Sequence, residues 1–289
     1  MSQISEMAHH QQQLADMRNI MNAMKNLAYM EHRKLSRLLL SQRQMLSNLE
    51  KAAADFLSFH PYPETSKVPS KETSKSIYLL MGSERGFCGS FNEKLLQALD
   101  KQEPQNIEQT NSLIVVGQKL ARYLETDPRV AAFVDGAGFE EEIAPILNTI
   151  VSAISLLQKQ HGIISLVVLY HSDISDKINR CDLLPPFHEK FEAPGFTCPP
   201  LLNIQAEQFF TDLSEQYLFA ALYEIAYTSL MLENHWRVQH LEDAVKRLDN
   251  KTEMLKQKCR TLRQEEITEE IEVILLSADS MLQSSRYKP

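Results

Sequence analysis

The richest run of reactive residue types is Ser83-Glu84-Arg85-Gly86-Phe87-Cys88-Gly89-Ser90. It follows the apolar segment SIYLLMG (76–82), which reads as a strand. It precedes FNEKLLQALDK, which reads as a helix with Asn92 as its cap. Strand–turn–helix junctions are where α/β proteins hold phosphate against a helix N-terminus. This turn lacks the three-glycine fingerprint of a dinucleotide site and the GKS or GKT of a P-loop. Gly86 and Gly89 therefore read as turn formers. Cys88 beside Arg85 has the makings of a thiolate nucleophile, but no histidine or acid is placed by sequence to act with it. A buried structural thiol is the expectation.

The other candidate groups are weaker. Nine histidines form no H-E-x-x-H pairing, and His9 and His10 stand together near the chain start. Cys88, Cys181, Cys198 and Cys259 show no C-x-x-C spacing, which argues against a zinc site or a disulfide framework and for a reducing compartment. Glu140, Glu141 and Glu142 read as a solvated helix start. No catalytic, cofactor-binding or metal site is predicted.

The elements around the turn are set by the helix breakers. All eight glycines, and every proline except Pro289, lie between Pro61 and Pro200. Residues 1–60 and 201–288 contain neither, so each end reads as one long helix. At 1.5 Å per residue these would be roughly 90 and 130 Å long. Alternate steps of four and three from Met17 reach Met21, Met24, Ala28, Glu31, Leu35, Leu38, Gln42, Met45, Leu49, Ala52, Phe56 and Phe59. Eleven of these thirteen are apolar, which is a coiled-coil seam. Leu241, Leu248, Leu255 and Leu262 repeat at sevens near the other end. The phase then shifts to Ile267, Ile271, Ile274, Ala278 and Met281. Between Phe209 and Trp236 the chain is apolar on more than one face, so several neighbours should pack on it. Lys246, Arg247, Lys251, Lys256, Lys258, Arg260 and Arg263 scatter around the helix and read as a solvated surface.

The middle begins with a polar linker at 61–75. Strands are predicted at 76–82, 113–117 and 163–170, with helical stretches after the first two and over 139–160. Residues 180–203 read as a proline-rich return with edge-strand character. Alternating strands and helices imply a mostly parallel sheet covered by helices. The predicted fold is α+β or α/β: an antiparallel coiled coil of long terminal helices with a small central α/β domain. The boundaries are 1–60, 61–203 and 204–289. The 289 residues carry 30 basic and 38 acidic side chains, a formal charge of −8, which argues against nucleic-acid binding. The first residues show no signal or transit character. The run at 163–170 is too short to span a bilayer, so no direct membrane insertion is predicted.

Four segments, in order, resemble the gamma subunit of F-type ATP synthases. Ile20 to Ala28, IMNAMKNLA, is similar to that family's I-T-x-A-M-x-x-V-A. Ser83 to Asn92, SERGFCGSFN, is close to S-D-R-G-L-C-G-x-x-N. LENHWRVQHLEDA is similar to S-E-x-x-x-R-M-x-A-M-x-x-A at Glu233, Arg237 and Ala244. Arg263 to Glu270, RQEEITEE, is similar to R-Q-A-x-I-T-x-E. The resemblance runs from about residue 4 to 282. The chain departs from it at EMAHHQQQLAD, where the family is rich in Lys and Arg, at Met21 and Asn22, at Val273, and in its acidic balance. It looks like a divergent relative, of the kind found in alternative N-type ATPases.

The resemblance implies a non-catalytic central-stalk rotor, peripheral on the cytoplasmic face of a bacterial or archaeal inner membrane. Its rod would turn inside a ring of alpha and beta subunits, with the middle domain and an epsilon subunit on a ring of c subunits. Met24, Lys25, Arg237, Arg263, Gln264 and Thr268 would contact the alpha–beta ring. Arg85, Gly86, Cys88, Gly89 and Asn92 would belong to the globular foot. No cofactor is implied. A coiled-coil scaffold that kept the fold without the motor is the alternative.

Overall fold

The computed structural model describes residues 3–60, 76–102, 111–162, 165–174, 177–187 and 198–285. The predicted linker at 61–75, the start of the strand at 163 and residues 188–197 of the proline-rich return lie outside these. The side chains of Ala278 and Met281 do as well.

Both ends form single helices, α1 over Gln3–Phe59 and α5 over Ala206–Ser285. The elements between them are β1 (Ser76–Met81), α2 (Phe91–Gln102), β2 (Ser112–Val116), α3 (Gln118–Ala121), β3 (Val130–Val134), α4 (Ile143–His161), β4 (Ser165–His171) and β5 (Ile178–Leu184). The chain divides into two compact units. Residues Leu27–Val238 form one, and Met1–Asn26 with Gln239–Pro289 form the other.

The larger unit is built on a five-stranded sheet of order β3-β2-β1-β4-β5. Strands β1 to β4 run parallel and β5 is antiparallel to β4. Strands covered on both faces read as continuous apolar runs, which is why β1, β2 and β4 were legible. Alternate residues divide between the faces. Ile77, Leu79, Ile114, Val116 and Val168 pack with α4, with Leu35 and Leu39 of α1, and with Leu222, Ile225 and Leu230 of α5. Tyr78, Leu80, Leu113, Val115 and Leu169 pack with Leu95 and Leu99 of α2 and Leu120 of α3. Strand β3 has no counterpart in the sequence reading. It is an edge strand with an exposed Phe133 and two alanines, which are weak strand formers. The helix expected over 118–125 stops at Ala121, because Tyr123 and Leu124 bond three residues back and tighten the chain into turns.

Within this unit α1 and α5 run antiparallel. Ser36 Oγ meets Met231 Sδ at 3.4 Å, Arg43 Nε meets Glu224 at 3.0 Å, and the Phe56 ring lies 4.9 Å from Phe209. The α1 seam follows the one drawn from the sequence only in part. Met17 and Met45 are exposed, while Leu14, Leu39 and Ala53 are buried. Ala28, Leu35 and Phe56 hold their expected places, and between the last two the buried positions Leu39 and Ala53 each lie one residue past the seam. A straight α-helix drifts about 20° per heptad against a strict seven-residue repeat, so residues next to a ruler fixed at Met17 share the buried stripe with those on it. As expected, the apolar stretch of α5 is enclosed on several sides, with Ala220 to Leu222 and Ile225 to Arg237 almost wholly buried.

In the smaller unit the two helices are again antiparallel. Arg18 bonds Asp249 at 2.5 Å, and Gln11 Nε2 lies 3.5 Å from Cys259 Sγ. Leu241 is fully buried, and Leu248, Leu255 and Leu262 are half-buried. From Arg263 to Ser277 every side chain is exposed.

Candidate functional site

The turn at 83–90 is held by α5. Ser229, Glu233 and Arg237 recur at fourfold spacing and so share one face of that helix. Each grips backbone of the β1–α2 connection. Ser229 Oγ donates to Met81 O at 3.3 Å. The Glu233 carboxylate accepts from the N–H groups of Glu84 (3.3 Å) and Arg85 (3.2 Å). Arg237 Nε donates to Gly86 O at 3.0 Å. The same guanidinium pairs with Glu233 and donates to Asn234 Oδ1 at 2.7 Å. Glu233 and Arg237 are 3 % and 5 % exposed, so this is a buried ion pair with its polar atoms bonded. Burial pushes the Glu233 carboxyl above its usual range, and Arg237 beside it pulls the other way.

A second set of bonds shapes the turn from inside. The expected cap Asn92 lies within the first turn of α2, not before it. Its side-chain amide instead accepts from Ser83 N at 3.0 Å and donates to Ser83 Oγ at 2.9 Å. Cys88 donates its thiol to the same hydroxyl at 3.3 Å. Cys88 is buried as expected. Burial raises its thiol above the ordinary range, which keeps it protonated and removes it as a nucleophile. Gly89 sits at φ 58°, where a side chain is strained, while Phe87 takes φ 64° at a cost of about 1 kcal/mol. Arg85 stacks on the Phe139 ring, 4.1 Å from its centre.

Backbone N–H groups around the turn are taken by the protein's own acids. Glu84 Oε2 accepts from Gln118 N at 3.0 Å and Gly136 N at 2.7 Å, at the carboxyl ends of β2 and β3. Glu233 fills the corresponding place on the turn. The cavity beside Glu233, lined by Met81, Gly82, Gly136 and Ser229 among others, measures about 30 Å³. That is room for one water, against ~300 Å³ or more for a small-molecule site.

The acidic run is not a plain solvated start. Glu140 and Glu141 pair with Lys34 of α1 at 3.0 and 2.5 Å, and Glu142 accepts from Gly138 N and Phe139 N at the start of α4. Of the residues assigned to partners, Met24 and Lys25 are half-buried, and Arg263, Gln264 and Thr268 are exposed. Arg237 alone is buried. Sequence reasoning missed Ser229 and Asn234, and gave Glu233 no role. The available signal was a Glu–Arg pair four residues apart inside an apolar helix, where neither charge is tolerated alone.

A family model described as ATP synthase matches residues 3–281. The chain belongs to that family. It is similar to the ATP synthase gamma chain of Clostridium perfringens strain 13, at 24% identity over 270 residues, covering 91% of this chain and 93% of the relative. It is 26% identical over 212 residues to the ATP synthase gamma chain of Clostridium botulinum strain Langeland, covering 71% of this chain and 73% of that one. Its fold matches a chain in the Euglena gracilis mitochondrial ATP synthase OSCP/F1/c-ring structure, with a TM-score of 0.68 at 15% identity and coverage of 99% and 97%. A chain of the rotor of the same enzyme matches with a TM-score of 0.63 at 14% identity, covering 91% of this chain and 98% of that one. Across this family match, the predicted pattern of long terminal helices around a small mixed sheet is the fold observed.

Proposed function

We propose that this chain is the non-catalytic central-stalk rotor of an ion-translocating ATP synthase. It turns inside a ring of alpha and beta subunits and, with an epsilon subunit, couples a ring of c subunits to them. It acts by making different contacts with each beta subunit, since only differential contacts shift a partner's equilibrium. The supporting observation is that one unbroken helix, α5, carries both the grip on the sheet at 229–237 and the exposed segment 263–268. A stiff element joining two ends is what transmission of turning force requires, and neither helix has a Gly or Pro where it would bend.

On this reading Met24, Lys25, Arg263, Gln264 and Thr268 face the alpha–beta ring, and the domain at 61–203 is the foot. Arg237 belongs to the grip rather than to the ring, because its nitrogens already bind Glu233, Asn234 and Gly86 O. The place of action is the cytoplasmic face of the membrane, as a peripheral part of the complex. No helix among the described residues is long and apolar enough to cross a membrane. The test is copurification from the native membrane, followed by Arg263→Ala with Gln264→Ala. The wild-type chain should appear with an alpha–beta hexamer. The double variant should fold alone and lower ion pumping per ATP. A chain that never copurifies with the hexamer is not a rotor, and normal pumping in the double variant removes those two residues from the ring contact.

A further inference from the structure

The grip of α5 on the turn has a property that packing alone does not supply. Much of the rest of the interface is apolar, with Leu222, Ile225, Ala226 and Leu230 on the core side, and its other polar contacts include Ser229 Oγ to Met81 O and Tyr227 OH to Glu140. Apolar ridges repeat along a helix, so sliding by one turn, ~5.4 Å, meets a similar groove. A buried carboxylate and guanidinium have no such second position. Displacement would leave Glu233 charged without the N–H groups of Glu84 and Arg85, and Arg237 without Gly86 O.

We propose that Glu233 and Arg237 are a register latch, which fixes the rotation and axial position of α5 against the sheet so that turning force passes between them. This rests on the rotor reading. Both are positioning residues, acting through the backbone of 84–86. From that turn the load divides over three strands. Ser229 and the chain itself lead to the end of β1. Glu84 leads through Gln118 N to the end of β2 and through Gly136 N to the end of β3. On its outer side the turn meets Gly138, whose Cα lies against the Arg85 guanidinium.

The latch makes a claim that a purely stabilising pair does not. Apolar side chains of similar volume often replace a buried ion pair without loss of stability. The double substitution Glu233→Met with Arg237→Met should therefore lower the thermal midpoint of the full chain less than Arg237→Met alone, which strands a buried carboxylate, while freeing the register. In the isolated chain, hydrogen exchange at the amides of Glu84 and Arg85 should speed up about tenfold or more, since both lose their acceptor. Trp236, the chain's only tryptophan, packs beside Lys94, Phe91 and His171, and should report the shift in its emission. In the assembled complex, ions pumped per ATP should fall about twofold or more. Arg237→Lys, which keeps the charge and loses the fork, should lie between. If the double variant does not fold, Arg237→Lys decides. Unchanged exchange at Glu84 and Arg85 overturns the latch, as does a wild-type pumping ratio in a variant that assembles. If the wild-type chain itself fails to join an alpha–beta ring, the rotor reading falls, and the exchange measurement still tests the latch.

Discussion

Arg237 and Asn92 show what one sequence displays of a residue and what it hides. Their types and spacing were legible and their partners were not, because each acts across a separation the sequence leaves open, to Gly86 and to Ser83. The glycines of the turn are likewise not equivalent. A Cβ on Gly82 would lie 2.4 Å from Leu120 Cβ and 2.9 Å from Val116 O. Gly82→Ala should cost about 1–3 kcal/mol in urea unfolding. At Gly86 the nearest atom to a new Cβ is Lys119 Cε at 3.6 Å, ordinary contact. Gly86→Ala should stay within about 0.5 kcal/mol, although both glycines border the same motif. Equal losses at the two sites would contradict this account of the turn. His235 gives a pH-dependent counterpart. Burial holds its imidazole below the ordinary 6.5, and His32, with rings 5.3 Å apart, adds repulsion. The folded state thus resists a proton that the unfolded chain accepts. The stability this residue contributes is complete above pH 6.5 and is lost as pH falls from there through the depressed folded value. The thermal midpoint should drop on acidification through that window, and drop less in His235→Gln. Parallel curves would remove His235 as the cause.

Among the elements, the helices were legible because their evidence is local. Glycine and proline are absent from 1–60 and 201–288, and no distant contact is needed to interpret that absence. The central strands were legible for a similar reason, as buried apolar runs. The phase of the α1 seam was not, since it depends on how the helix winds against α5, a tertiary quantity. Leu35 and Met45 both lie on the predicted seam, yet Leu35 is wholly buried between α1, α5 and the sheet while Met45 is 47% exposed. Leu35→Ala should cost about 2–5 kcal/mol, and Met45→Ala less than about 1 kcal/mol. A chevron or urea midpoint on each full-length variant measures both. Similar losses would restore the strict seven-residue seam. The edge strand β3 was missed because two of its five residues are alanines, weak strand formers, and nothing in the sequence says where a sheet stops.

At the scale of the molecule, family membership was readable because four motifs keep their order over nearly the whole chain, while the place of each motif in the assembly was not. The rotor reading still has a mechanical consequence within a single unit. In the smaller unit, Met7 Sδ lies 3.6 Å from Cys259 Sγ, one on each antiparallel helix. If the two helices turn together as one body, tying them to each other changes nothing that rotation needs. A scaffold whose helices separate to embrace a partner would be blocked by the same tie. The experiment uses Met7→Cys in a chain whose exposed Cys198 is replaced, joined to the native Cys259 by a short bifunctional maleimide. Cys88 should react slowly, being buried with a raised thiol. Cross-linked complex should pump ions at the rate of the uncross-linked control. A loss reversed by omitting the cross-linker would mean that α1 and α5 move against each other during turnover, and a shaft made of the pair would have to be abandoned.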